Sequence, residues 1–282
     1  MYQFPIGVMM ESFRLETRQA IEKAASIGAQ GLQMYATKGE HAPENMSKEQ
    51  RRELLDMVKS NGLVFSALCA DMGGGFCHPE RNPVVIEKSK RILDLAKDLE
   101  TNIVTTHIGV VPTDKNHPRY AIMQEACNEL AEYADSLGAH FAIETGPEVS
   151  IVLKDFLDSL GSKGVAVNLD PANLAMVTGD DPVQAVYNLK DYIVHTHAKD
   201  GIMIHENNPE VVYGLLKDEV PVGPGYREVA LGTGNVPFPE YLKALEDIGY
   251  RGFLTIEREV GDDPAADIVM AADFLRNIIN SK

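Results

Sequence analysis

The chain has no tryptophan, only three cysteines and far fewer basic than acidic residues. Cys69, Cys77 and Cys127 are odd in number and show neither CxxC nor zinc-knuckle spacing, so they read as buried, unreactive thiols of a reducing compartment. Lys and Arg total 26 against 42 Asp and Glu, for a formal net charge of −16 and an isoelectric point near 4.9. Nucleic-acid affinity rests on basic side chains neutralising phosphates, and this balance argues against a nucleic-acid partner. No uncharged apolar run approaches the ~18 residues of a membrane span, and the opening MYQFPIGVMMESF has no basic leader region. No membrane association and no export are expected, and a cytoplasmic location is. Neither GxGxxG after the first strand nor GxxxxGK[ST] occurs, and Gly73 to Gly75 open no helix, so nucleotide binding is not supported. Internal repeats, low-complexity tracts and flexible linkers are also missing.

What is present is an alternation. The 282 residues are 44% hydrophobic and 24% charged, enough for a sizeable core. Eight strand-like runs recur: FPIGVMM, AQGLQMYA, LVFSALCA, NIVTTHIGV, HFAIETG, VAVNLD, YIVHTHA and GFLTIE. Segments with apolar spacing of three and four lie between them, such as SKEQRRELLDMVKSNG and FPEYLKALEDIGY. Gly28, Gly62, Gly138 and Gly249 are placed as left-handed C-caps, and Ser47 with Gln50 as a capping box. Eight strand-helix units over residues 1–282 predict a single-domain α/β fold, a closed (β/α)₈ TIM barrel, over an open doubly wound sheet.

The choice turns on four side chains. Glu144, Asp170, His197 and Glu257 each sit where one of the last four runs ends. In a barrel those ends meet in one mouth, whereas an open sheet spreads them along a line. Three carboxylates would repel one another there, but three carboxylates and an imidazole around a divalent cation satisfy each other. Plainer readings remain open: rim salt bridges of Glu144 and Glu257 with Arg258 or Lys199, Asp170 as a turn cap before Pro171, and His195 rather than His197 as the ligand. His197 is favoured because it lies nearer the strand's C-terminal end.

A β-strand Glu, then Asp-x-x-Asn, then His-x-His-x-Lys-Asp, then a Gly-x-Gly loop and a terminal Ile-Glu resembles the xylose isomerase-like barrel superfamily. Within it the pattern is similar to the sugar phosphate isomerase/epimerase group: ketose 3-epimerases, hydroxypyruvate isomerases and inosose dehydratases, and more distantly endonuclease IV. The resemblance covers essentially the whole chain. It implies that Glu144, Asp170, His197 and Glu257 hold one Mn²⁺, with Mg²⁺, Co²⁺ or Zn²⁺ as alternatives, and that Glu144 and Glu257 also act as an acid/base pair. Asn173 stands where the endonuclease motif has His, and no Asp-x-His follows the seventh strand, which argues against DNA repair.

The expected chemistry suits these residue types. Moving a proton beside a carbonyl creates an enediolate that a divalent cation stabilises, while two carboxylates serve as base and acid. Substrate contacts are expected from His107, Lys199, Arg227 and Asn173, with Arg227 reaching inward from the long stretch between Gly201 and Gly234, and with Phe13, Tyr35 and Phe76 as pocket walls. The expected activity is isomerisation or epimerisation of a small sugar, sugar phosphate or keto-polyol. A dehydratase or other lyase on the same scaffold and a non-catalytic sugar-binding protein are the alternatives. The expected partner is a small-molecule carbohydrate; a homo-oligomer is left open.

Overall fold

Each of the eight apolar runs forms a strand in the computed structural model, which describes residues 2–217 and 223–281. The strands are β1 (Ile6–Met9), β2 (Gly31–Tyr35), β3 (Val64–Cys69), β4 (Ile103–Thr106), β5 (His140–Glu144), β6 (Val165–Leu169) and β7 (Ile193–Ala198). A hairpin of β8 (Asp200–Met203) and β9 (Tyr226–Val229) follows, and β10 (Leu254–Ile256) is the eighth barrel strand. All barrel pairings are parallel, and the sheet closes where Ile6, Gly7 and Val8 of β1 pair with Leu254, Thr255 and Ile256 of β10. Burial on both faces explains why these runs read as continuous hydrophobic stretches.

The helices that shield the barrel are α1 (Thr17–Ser26), α2 (Lys48–Ser60), α3 (Asn82–Asp98), α4 (Pro118–Ser136), α5 (Ser150–Leu157), a single turn α6 (Pro171–Asn173), α7 (Pro182–Asn188), a short α8 (Pro209–Val212), α9 (Phe238–Asp247) and α10 (Pro264–Asn280). Their starts follow the local rules. Ser47 accepts from the Gln50 backbone while the Gln50 side chain accepts from the Ser47 backbone, which closes the capping box of α2. Gly28, Gly62, Gly138 and Gly249 all carry positive φ at helix ends, as their placement predicted. The core fills the space between barrel and helices, with Leu32, Leu68, Ile92, Leu93, Leu130, Phe141, Phe156 and Tyr241 inaccessible to solvent. All three cysteines are free and buried. Among the described residues no helix is long and apolar enough to cross a membrane.

Two features were not legible beforehand. A π-helical turn, Leu174–Thr178, follows α6. The antiparallel hairpin β8 and β9 leaves the barrel directly after β7, and its return is fixed by Asp200, whose carboxylate accepts backbone N–H groups of Gly201, Gly232, Gly234 and Val236 at 2.8–3.1 Å. The Lys-Asp pair after the seventh run thus divides its labour. Asp200 organises backbone, while Lys199 points into the site.

Candidate metal centre and its cavity

Parallel strands deliver their C-terminal residues to the same mouth, and β5, β6, β7 and β10 deliver the four expected ones. Glu144 ends β5, Asp170 follows β6, His197 is the penultimate residue of β7 and Glu257 follows β10. One ligand atom from each lies within 4.8 Å of all the others. His197 Nδ1 is 3.5 Å from Glu144 Oε1, 3.2 Å from Asp170 Oδ2 and 3.3 Å from Glu257 Oε2. All four residues are buried. Burial works against charge on His197, yet Glu257, Glu144 and the bond to Asp170 hold its pKa well above the ordinary histidine value. The cluster therefore stabilises positive charge at its centre, and its hard oxygens with one imidazole suit a divalent cation.

Neighbouring amide and hydroxyl side chains fix the ring. His197 Nε2 is 2.9 Å from Gln33 Oε1, and the Gln33 amide in turn donates to Thr105 Oγ1 at 2.9 Å. With Nε2–H given to Gln33, Nδ1 is left facing the carboxylates, the arrangement that prepares a histidine for a cation. Asn168 Nδ2 donates to Glu144 Oε2 at 3.1 Å, while Asn168 Oδ1 lies 2.8 Å from His195 Nδ1. Burial, reinforced by His197, depresses the His195 pKa well below the usual value. His195 is thus a neutral support one layer deeper, also 2.9 Å from Thr255 Oγ1, and it is His197 that joins the cluster. Gln33 and Asn168 escaped the sequence reading, although an amide inside each of the apolar runs GLQMY and VAVNL was the available signal. Strand register shifts at Leu32/Gln33 and at Val167/Asn168, so each amide sits at an irregularity that re-aims it.

The plainer readings of the ligands are partly built in. Asp170 does cap α6, with Oδ1 accepting from Asn173 N at 2.8 Å, while Oδ2 faces His197. Glu257 is paired with Lys199, whose Nζ lies 3.0 Å from Glu257 Oε2 and 2.6 Å from Glu259 Oε2. Burial pushes the Glu257 carboxyl upward, but Lys199 and His197 outweigh it and hold it below the usual carboxylate range. Arg258 is committed elsewhere, to Glu228 at 2.7 Å and Asp267 at 2.8 Å.

Above the cluster opens a cavity of about 420 Å³. Glu144, Glu257, His107, Lys199 and Asn173 line it, together with Tyr35, Asp71 and Tyr213; Asp170 and His197 are not among its lining residues and sit behind it. His107 Nδ1 is 3.1 Å from Asp71 Oδ2, and its Nε2 is buried, 3.7 Å from Glu144 Oε1 and without a hydrogen-bond partner. Burial opposes charge on His107, but Glu144 and Asp71 prevail and lift its pKa to about 9. Asn173 Nδ2 reaches Glu144 Oε1 at 3.4 Å. Arg227 departs from expectation: it is exposed on β9 and does not line the cavity, because strand alternation sends its neighbour Tyr226 inward instead. Phe13 and Phe76 are likewise core residues rather than walls, whereas Tyr35 is a wall. Residues 218–222 of the long stretch between Gly201 and Gly234 lie outside the described residues.

The family model for the xylose isomerase-like TIM barrel matches residues 21–278. The chain belongs to the xylose isomerase-like TIM barrel family. Within curated relatives, inosose dehydratase of Clostridium perfringens is 25% identical over 161 residues, about half of each chain. A xylose isomerase domain protein from Planctomyces limnophilus has the same fold, with a TM-score of 0.80, 24% identity and coverage of 99% of this chain and 98% of that one. D-psicose 3-epimerase from Clostridium cellulolyticum H10, solved with D-tagatose, superposes with a TM-score of 0.73 at 17% identity, covering 98% and 99% of the two chains. Membership of this family agrees with the barrel described above, and its epimerase and dehydratase neighbours are enzymes with small-molecule substrates.

Proposed function

We propose that this protein is a divalent-metal-dependent isomerase or epimerase of a small sugar, sugar phosphate or keto-polyol, working by proton transfer between two carboxylates. One observation carries the reading: of the four clustered residues, Glu144 and Glu257 face the cavity, while Asp170 and His197 stand behind it. Two ligands thus have access to substrate and two do not.

Glu144, Asp170, His197 and Glu257 would hold the cation, Mn²⁺ in preference to Mg²⁺, Co²⁺ or Zn²⁺. A divalent ion there supplies Lewis-acid stabilisation of the oxyanion charge that develops when a carbon beside a carbonyl loses its proton. The chain's own groups do the rest. Glu257 and Glu144 reach the cavity from β10 and β5, strands on different sides of β6 and β7, so one carboxylate can remove a proton and the other return it. Lys199 keeps Glu257 ionised, as a base requires, and offers a cation to a substrate oxygen. His107, held by Asp71, presents Nε2 beside Glu144, and Asn173 presents its amide next to it; both can bind substrate hydroxyls.

A dehydratase reading is also favoured by a specific feature, the likeness to inosose dehydratase together with the Asp71–His107 pair, whose imidazole could protonate a leaving hydroxyl. Both reactions begin with the same proton removal. Turnover of a ketose and inosose panel by Mn²⁺-loaded protein in D₂O separates them. Deuterium in a product of otherwise unchanged composition is the expected result, and loss of water would assign the dehydratase. Glu144→Gln and Glu257→Gln should each retain measurable metal and lose turnover by on the order of 10² to 10⁴. A product without deuterium, or either variant at full activity, would remove the two-carboxylate mechanism.

A further inference from the structure

We propose that Glu259 makes this site selective for uncharged substrates: its carboxylate occupies Lys199, the one lysine among the cavity's described lining residues, and so excludes sugar phosphates. This narrows the functional reading above and rests on it for the metal and the sugar; the pairing of Glu259 with Lys199 rests on geometry alone.

The charges around the cavity are uneven. Asp71, Glu144, Glu257 and Glu259 line it and Asp170 stands behind, while the lining offers only the Lys199 ammonium and the His107 imidazole in return. No arginine is among the described lining residues. With a divalent cation in the cluster and His107 protonated, these carboxylates still outnumber the positive charges. A phosphate dianion is bound through charge-assisted donors and is repelled where like charge prevails. Two arginines bonded to the wall are withheld from the cavity. Arg14 gives Nη1 and Nη2 to the Gly261 and Glu259 carbonyls at 3.4 and 2.9 Å, and Arg81 gives Nη2 to the Met72 carbonyl at 3.0 Å. Residues 218–222 read Asp-Glu-Val-Pro-Val and bring no basic side chain.

Lys199 is the group a phosphate would need, and it is already engaged. Its Nζ lies 2.6 Å from Glu259 Oε2, 3.0 Å from Glu257 Oε2 and 4.0 Å from Glu228 Oε2. Glu257 belongs to the ligand cluster, whereas Glu259 does not. Glu259 is nonetheless held in place from two sides. Its backbone N–H donates to the Glu228 carboxylate at 3.2 and 3.3 Å, and its carbonyl accepts from Arg14. The chain beyond β10 is thereby fixed so that the Glu259 side chain reaches back over Lys199. An ammonium has three N–H donors, so after two carboxylates one remains for a neutral hydroxyl or carbonyl oxygen. The Glu259 side chain is 57% exposed, and such an ion pair adds little to stability, so changing it tests selectivity rather than folding.

Inorganic phosphate, titrated calorimetrically into the full chain with and without Mn²⁺, is the first probe. Glu259→Gln should bind it at least about tenfold more tightly than the parent. Glu259→Asp, which keeps the charge, and Glu22→Gln, which removes one from the exposed face of α1, should both behave like the parent. The second probe is the neutral sugar that the Mn²⁺-loaded protein turns over in the D₂O panel, set against its monophosphate ester. In the parent the ester's KM should exceed that of the neutral sugar by on the order of a hundredfold. Glu259→Gln should narrow the gap to about tenfold by lowering the ester's KM, with kcat and KM for the neutral sugar within about threefold. Equal phosphate affinity in the parent and Glu259→Gln, or a gain of the same size in Glu259→Asp or Glu22→Gln, would overturn the role of Glu259. An ester accepted by the parent as readily as the neutral sugar would overturn the exclusion. A chain that binds no Mn²⁺ and turns over no sugar would instead count against the functional reading, and the phosphate titration would still decide the pairing.

Discussion

The two halves of the barrel contribute to the site in different currencies. Strands β5, β6, β7 and β10 end on ionisable residues that meet within 4.8 Å, while β1 to β4 contribute Gln33, Thr105, Tyr35 and the Asp71–His107 pair, which hold, wall or flank that cluster. The ligands are concentrated on one side, and the opposite side of the mouth adds one amide, Gln33, that orients His197, and one carboxylate–imidazole pair, Asp71 and His107. A cluster of carboxylates this buried holds together only around positive charge, so a break in either half should show first in what the centre can bind.

The largest break is removal of a ligand that has no other duty toward substrate. Asp170→Asn and His197→Ala should each weaken Mn²⁺ binding by on the order of a thousandfold, measured by titration, because each ligand carries a large share of a divalent site's binding energy. Both variants should also lose the thermal stabilisation that excess Mn²⁺ gives the parent, which at a hundredfold excess over Kd amounts to about 2.7 kcal/mol. His195→Ala should keep its metal, and a reversed outcome for the two histidines would exchange their assignments.

The opposite half should yield smaller numbers. Gln33→Ala removes the acceptor of His197 Nε2–H and should lower Mn²⁺ affinity by roughly 10- to 100-fold, the range for loss of a group that orients a metal-binding histidine. Asp71→Asn leaves the cluster intact but releases His107; Mn²⁺ affinity should hold, while KM on the substrate identified by the D₂O panel rises about tenfold, the worth of one hydrogen bond to a charged group. If Asp71→Asn instead costs metal as heavily as Asp170→Asn, the division between halves fails.

The smallest effect is one of pH and lies off the site. Burial raises the Glu148 carboxyl to about 8, with Val111 N and His107 only partly offsetting it. Its folded-state pKa exceeds the unfolded value near 4.5, so the folded form is favoured while the group is protonated, and that advantage is lost as pH rises from about 4.5 through about 8. Glu148→Gln keeps an acceptor for Val111 N and abolishes this dependence. Its melting temperature should match the parent's near pH 4.5 and exceed it by roughly 5 °C at pH 8. Parallel pH profiles would place Glu148 in water rather than in the core.

How much of this was legible beforehand differs between the halves for a physical reason. Glu144, Asp170, His197 and Glu257 were readable because a charge at the end of a buried strand stands out against its apolar run, and closure of the barrel follows from eight units of one kind. Arg227 was misjudged because the hairpin that carries it lies outside the barrel pattern, and a period-two strand sends every second residue outward; without knowing the pairing of β8 with β9 there was no way to choose Tyr226. Gln33 and Asn168 look like ordinary strand residues until the register shifts beside them are seen. Asp71 and His107 lie 36 positions apart, so the pair has no local signature.

Apolar periodicity, helix caps and the placement of four ionisable residues at strand ends are local properties of the chain, and they determined the barrel and the chemical character of its mouth. Which nitrogen of His197 faces the carboxylates, and which two of the four ligands front the cavity, were decided only by tertiary structure. Those outcomes depend on register, on the irregularities beside Gln33 and Asn168, and on contacts between segments far apart in sequence, none of which a local pattern encodes.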